Sequence, residues 1–124
     1  MPRPVHFDIT ADNPERAVKF YGDAFGWKFE KWDAGEQPYW LIATGETSEP
    51  GINGGLSGRA PGGNRGILNT IGVPSVDDAV AKVTKAGGAI TRAKMAIPGI
   101  GWYAEFTDTE GNAFGLMQDD PSAK

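Results

Sequence analysis

The 124 residues carry a formal net charge of -4 with an isoelectric point near 4.9, and no lysine–arginine cluster offsets that charge, so phosphate repulsion excludes nucleic acid as a main partner. The absence of cysteine excludes disulfides, thiol catalysis and thiolate metal sites. No apolar run approaches the length of a membrane span, and Met1-Pro2-Arg3-Pro4 lacks the apolar segment of a signal peptide, so the expectation is a cytoplasmic protein with no membrane partner.

This length is that of a single domain, and 18 glycines with 9 prolines indicate many turns between short strands. Val5, Phe7 and Ile9 alternate with His6, Asp8 and Thr10, which predicts a half-buried first strand with one polar face. A helix follows, with Pro14 in its first turn, Asp12 or Asn13 as cap, and Ala17, Phe20, Tyr21 and Ala24 as its apolar stripe. Gly22 inside this helix points to a close packing contact, and Gly26 is placed to end it. Trp27 to Trp32 reads as a strand, Asp33 to Pro38 as a turn, and Tyr39 to Thr44 as a strand buried on both sides. Gly45 to Pro50 reads as a loop and Gly51 to Leu56 as a glycine-rich strand that something approaches closely.

Ser57 to Gly66, with four glycines and a proline, reads as a linker. Beyond it come a strand over Ile67 to Val73, a helix opened by Pro74 and Ser75 with the stripe Val76, Ala79, Val80 and Val83, and a Gly87-Gly88 stop. Three more strands are predicted at Ala89 to Lys94, Gly101 to Thr107 and Ala113 to Gln118, with a loop at Ile97 to Ile100, a hairpin turn at Asp108 to Asn112 and a frayed tail from Asp119. Shifting the chain by about 62 residues, half its length, superposes Ile9 on Ile71, Asn13 on Ser75, Ala17 on Ala79, Gly26 on Gly88 and Trp40 on Trp102 without gaps. The expected fold is therefore α+β: one domain over 1–124 made of two βαβββ modules, 5–56 and 67–118, forming a curved mixed sheet around a cleft that is the natural ligand site.

The first-strand histidine, the helix carrying Phe20-Tyr21, the following Phe25-Gly26-Trp27 and the Phe106-Thr107-Asp108-Thr109-Glu110-Gly111-Asn112-Ala113-Phe114 hairpin resemble the vicinal oxygen chelate superfamily. That superfamily includes glyoxalase I, bleomycin- and fosfomycin-resistance proteins and extradiol dioxygenases, and the resemblance runs from Val5 to Gln118. It implies paired βαβββ modules and, in the family's metal enzymes, four ligand points that carry over to His6, Asn53, Leu68 and Gly115. Of these only His6 is a good ligand, so no catalytic metal and no cofactor are expected.

Several residues are candidates for the ligand site. His6 either lines the cavity as an acid–base or contact group, or is a hydrogen-bonded strand residue beside Asp8 and Thr10. Asn53 would bind a ligand carbonyl or hydroxyl, or else fasten a turn. Trp40 and Trp102 would be aromatic walls for a flat ligand, or pack under the helices. Tyr103 and Glu105 face the cleft if Phe106 is core, making Glu105 a second candidate proton carrier or an exposed strand carboxylate. The expected function is small-molecule binding, as in bleomycin-resistance proteins, with a metal-independent lyase or isomerase acting on a small oxygenated compound as the alternative. The resemblance also implies a homodimer, for which Trp27, Phe29 and Trp32 supply surplus apolar surface.

Overall fold

Strand alternation and two capped amphipathic helices build the chain, and the computed structural model describes residues 2–32, 38–59 and 66–124 of it. The elements run β1 (Arg3–Ala11), α1 (Pro14–Phe25), β2 (Lys28–Trp32), β3 (Tyr39–Ala43), β4 (Gly54–Gly58), β5 (Ile67–Gly72), α2 (Val76–Lys85), β6 (Ala89–Ile97), β7 (Gly101–Thr107) and β8 (Ala113–Asp119). This is βαβββ twice, an α+β fold of two helices and a mixed sheet. Two compact units result: His6–Ile67, and Leu68–Lys124 together with the start of β1.

In the first unit, β4 lies between β1, to which it is parallel, and β3, to which it is antiparallel; β2 pairs with the other edge of β3. Asn13, rather than Asp12, caps α1: its Oδ1 accepts from the Arg16 backbone N–H at 3.1 Å, while Asp12 pairs with Arg59 at 2.8 Å. Gly26 closes the helix at φ 72°, a left-handed value that costs glycine little. Ile9, Trp40, Ile42 and Leu56 form the core, covered by Ala17, Val18 and Tyr21 of α1. The expected stripe shifts accordingly: Phe20, 59% exposed, and Ala24 face outward, and Val18 takes a place against the core. Gly22 has only an ordinary 3.8 Å neighbour in the Trp27 carbonyl, so no tight contact demands it. β3 has one buried face, not two; Leu41 is 42% exposed.

The second unit repeats the plan, with β8 between β5 and β7 and β6 on the outside. Ser75 caps α2 by accepting from the Asp78 N–H at 3.1 Å. Val76, Ala104, Phe106 and Leu116 form the core under Ala79, Val80 and Val83. The helix ends at Lys85, and Gly87 takes the positive φ. β6 extends three residues further than expected, to Ile97. The tail is folded back rather than frayed: Ala123 is buried, and its carbonyl accepts from the Gly99 N–H at 2.9 Å. Of the expected linker, Ser57 and Gly58 belong to β4. Residues 60–65, and 33–37 of the expected turn, lie outside the described residues.

Strand registers correct the gap-free repeat. Ile9 pairs with Leu56 and Ile71 with Leu116, so Ile9 matches Ile71, 62 residues on, but Leu56 matches Leu116, 60 on. Trp40 pairs with Leu56 and Ala104 with Leu116, so Trp40 matches Ala104, 64 on. Trp40 and Trp102 are therefore not equivalent positions. Tyr39 and Tyr103 are.

Candidate functional site

The four strands of each unit bury one face under that unit's helix, and the other face carries the polar alternation. On β1 that open face presents His6, Asp8 and Thr10, because neighbouring strand residues point to opposite sides. Tyr39 shares this face and reaches from β3 across β4 to β1. Its hydroxyl donates to Asp8 Oδ1 at 2.7 Å, and His6 Nε2 lies 3.3 Å from the same hydroxyl oxygen and 3.4 Å from Asp8 Oδ1. The crossing is possible because Gly55 lies beneath it: a Cβ there would sit 1.7 Å from the tyrosine oxygen. His6 and Asp8 side chains keep 33% and 26% of their surface, so the cluster is accessible. Beside it lies a depression of about 530 Å3, bordered by His6, Lys28, Glu30, Leu41, Ala43 and Asn53.

The second unit carries a variant of this arrangement. Tyr103 lies over Gly115, the residue paired with Thr70 on β5. A Cβ at Gly115 would sit 2.7 Å from the Tyr103 oxygen and 2.8 Å from Thr70 Oγ1. Thr70 stands where the first unit has Asp8, and the tyrosine hydroxyl donates instead to Glu105 Oε2 on its own strand, at 2.8 Å. Arg92 Nε stands 3.6 Å from the same carboxylate oxygen. Thr70 is 3% exposed, and its hydroxyl has no hydrogen-bond partner among the described residues.

Among the residues singled out from the sequence, the structure brings His6 to Asp8 and Tyr103 to Glu105. Asn53 reaches the rim of the His6 depression, but its Oδ1 accepts from the Thr44 N–H at 2.9 Å and lies 3.3 Å from the Thr44 hydroxyl, so it fastens the β3–β4 loop. Trp40 and Trp102 are corrections. Each is one residue away from an open-face tyrosine and so turns to the helix side. Trp40 belongs to the first core and is 9% exposed. Trp102 packs against the second core, donates from Nε1 to Asp120 Oδ2 at 3.0 Å and lies under Lys94 Nζ at 4.5 Å. The Ser122 hydroxyl and backbone N–H, with the Trp102 indole, hold the Asp120 carboxyl below its usual range. Sequence reasoning missed Tyr39 and Thr70. The signal available for Tyr39 was its match to Tyr103 at 64 residues, hidden by reading the repeat without gaps.

A fold of paired βαβββ modules with polar open faces defines a class, and the comparisons agree with it. The family model described as the glyoxalase/bleomycin resistance protein/dioxygenase superfamily matches residues 3–116, and the chain belongs to that superfamily. A glyoxylase-like domain-containing protein of Didymella fabae is 32% identical over 114 residues, 88% of each chain. Similar solved structures include a hypothetical protein of Bacillus halodurans C-125, with TM-score 0.70, 16% identity and coverage of 99% of this chain and 98% of that one. A Streptomyces coelicolor methylmalonyl-CoA epimerase variant in complex with 2-nitronate-propionyl-CoA also has TM-score 0.70, at 15% identity, covering 98% and 97%. These structural likenesses define the fold.

The registers also move one of the carried-over metal points. Gly115 lies opposite Thr70, two residues after Leu68; the residue opposite Asp8, two after His6, is Gly55 and not Asn53. The four points are then His6, Gly55, Leu68 and Gly115, of which three have no donor side chain. Among the described residues no group of three or more histidine, cysteine or acidic side chains could hold an ion. The donor set does not fit the divalent metal of the superfamily's metal enzymes, which needs about three protein ligands.

Proposed function

We propose that this chain is a small-molecule-binding member of the superfamily working without a catalytic metal, with the open face around His6, Asp8 and Tyr39 as its ligand surface. The observation that carries this is the convergence of three polar side chains beside a depression walled in part by Leu41 and Ala43. A few placed polar groups beside apolar surface is how small-ligand sites are built. The net charge of -4 favours an uncharged or cationic ligand.

A metal-independent lyase or isomerase acting on a small oxygenated compound is the second reading. It is favoured by the positions of Tyr39 and Asp8, 3.3 and 3.4 Å from His6 Nε2, which orient an imidazole, a side chain that can serve as a general acid or base. Glu105 is the other candidate proton carrier. A cytoplasmic homodimer belongs to the same proposal. Its apolar surface is Phe20 and Phe25, because Trp27 stacks on Tyr21 at 5.2 Å, Phe29 joins the core and Trp32 packs on Tyr39. None of the described helices is long and apolar enough to cross a membrane.

Thermal-shift screening of small metabolites and aromatic compounds, followed by His6→Ala and Glu105→Gln, tests the choice. A binder returns its ligand chemically unchanged after hours and loses affinity with His6→Ala. Turnover abolished by either substitution while binding survives would defeat the binding reading and establish the enzyme.

A further inference from the structure

The second unit's open face holds a buried hydroxyl: Thr70 Oγ1 has no hydrogen-bond partner among the described residues, which costs the fold stability. Next to it Tyr103 donates to Glu105, whose side chain keeps 21% of its surface and is reachable from solvent. Both the tyrosine oxygen and Thr70 Oγ1 lie within 2.8 Å of the point where a Gly115 side chain would begin. The absence of that side chain leaves the tyrosine hydroxyl room to turn from one partner to the other.

We propose that Glu105, Tyr103 and Thr70 form a subsite for a ligand hydroxyl or ammonium group, with the tyrosine as a movable hydrogen-bond donor. The inference rests on the reading that these open faces bind small molecules, and it specifies what one of them recognises. A donor group arriving at Glu105 takes over the carboxylate oxygen that Tyr103 occupies. The displaced tyrosine hydroxyl turns to Thr70, so its hydrogen bond is transferred rather than lost, and the unpaired hydroxyl gains a partner. A carboxylate ligand has no donor to offer Glu105, whose charge is already met by Arg92 Nε at 3.6 Å. In the first unit the same swap has no place to go, because Asp8 stands at the Thr70 position and already holds Tyr39.

The test titrates the full 15N-labelled chain with benzylamine, benzyl alcohol and benzoate, following backbone amides. Benzylamine and benzyl alcohol are expected to move the Glu105 and Gly115 amides, and benzoate to leave them in place. Glu105→Gln should weaken benzylamine about tenfold, the loss of one charge-assisted contact. Thr70→Val is the diagnostic variant: it should leave the melting temperature of the free protein equal or higher, because the unpaired hydroxyl is gone. It should also weaken both probes several-fold, because the displaced tyrosine loses the Thr70 hydroxyl as its acceptor. Benzoate binding as well as benzylamine, or a Thr70→Val protein that melts lower with unchanged affinity, would overturn the subsite. Probes that move only amides around His6 and Tyr39 would sink the subsite and leave the proposed function standing. Probes that move neither face would sink both.

Discussion

Alanine at Gly55 would place a methyl group 1.7 Å from the Tyr39 hydroxyl oxygen, 2.2 Å from Cζ and 2.8 Å from Asp8 Oδ1. No real contact is that short, so the tyrosine must leave its path across β4. Forced displacement in a packed site costs about 1–3 kcal/mol. Loss of the Tyr39–Asp8 hydrogen bond adds about 1 kcal/mol, taken below the usual range for a charged acceptor because the Asp8 side chain is 26% exposed. Urea denaturation of wild type, Gly55→Ala, Tyr39→Phe and the double variant measures these terms. Tyr39→Phe alone should cost about 1 kcal/mol, and about 0.5 kcal/mol or less in the Gly55→Ala background, where the hydrogen bond is already gone. Because His6 is the only histidine, its imidazole signals report the same loss directly, and they should move alike in both single variants. A Gly55→Ala protein within about 0.5 kcal/mol of wild type would refute the reasoning. So would an undiminished Tyr39→Phe cost in the double variant.

Leu56→Ala, which empties a fully buried core position, should cost about 2–5 kcal/mol in the same assay. The Asp108 carboxyl is held below its usual value of 3.8 first by the Asn112 backbone N–H and then by the Asn112 side chain. Its folded value is depressed, so its stabilisation is present above 3.8 and lost as pH falls through the lower folded value; the melting advantage over Asp108→Asn should fade in that direction. Protein purified without chelator should carry no stoichiometric zinc, nickel, iron or manganese, and about one equivalent dependent on His6 would contradict the donor-set argument. Sedimentation at micromolar concentration should show a dimer that Phe25→Ser weakens; only the 13.2 kDa species would refute it.

Local signals determined the element plan. The Ser75 cap, the Gly26 stop, the α2 stripe and the 101–107 strand are read from a residue and its near neighbours, and near neighbours decide them physically. Alternation likewise set Tyr103 and Glu105 on the face opposite Phe106. The sequence alone left each tryptophan between two roles, because a strand's pattern tells which residues share a face but not which face a helix covers. That was decided when Ala17, Val18 and Tyr21 came down on the Trp40 side. Register also lay beyond the sequence. Connections of unequal length shift β3 against β7 by 64 and β4 against β8 by 60, so a single offset of 62 paired Trp40 with Trp102 and Asn53 with Gly115. The hydrogen-bonded neighbours show which offset applies where, so that Tyr39 answers Tyr103 and Gly55 answers Gly115. The Tyr39 crossing exists only once three strands lie side by side with a glycine in the middle, a relation between residues more than thirty positions apart that no local pattern encodes.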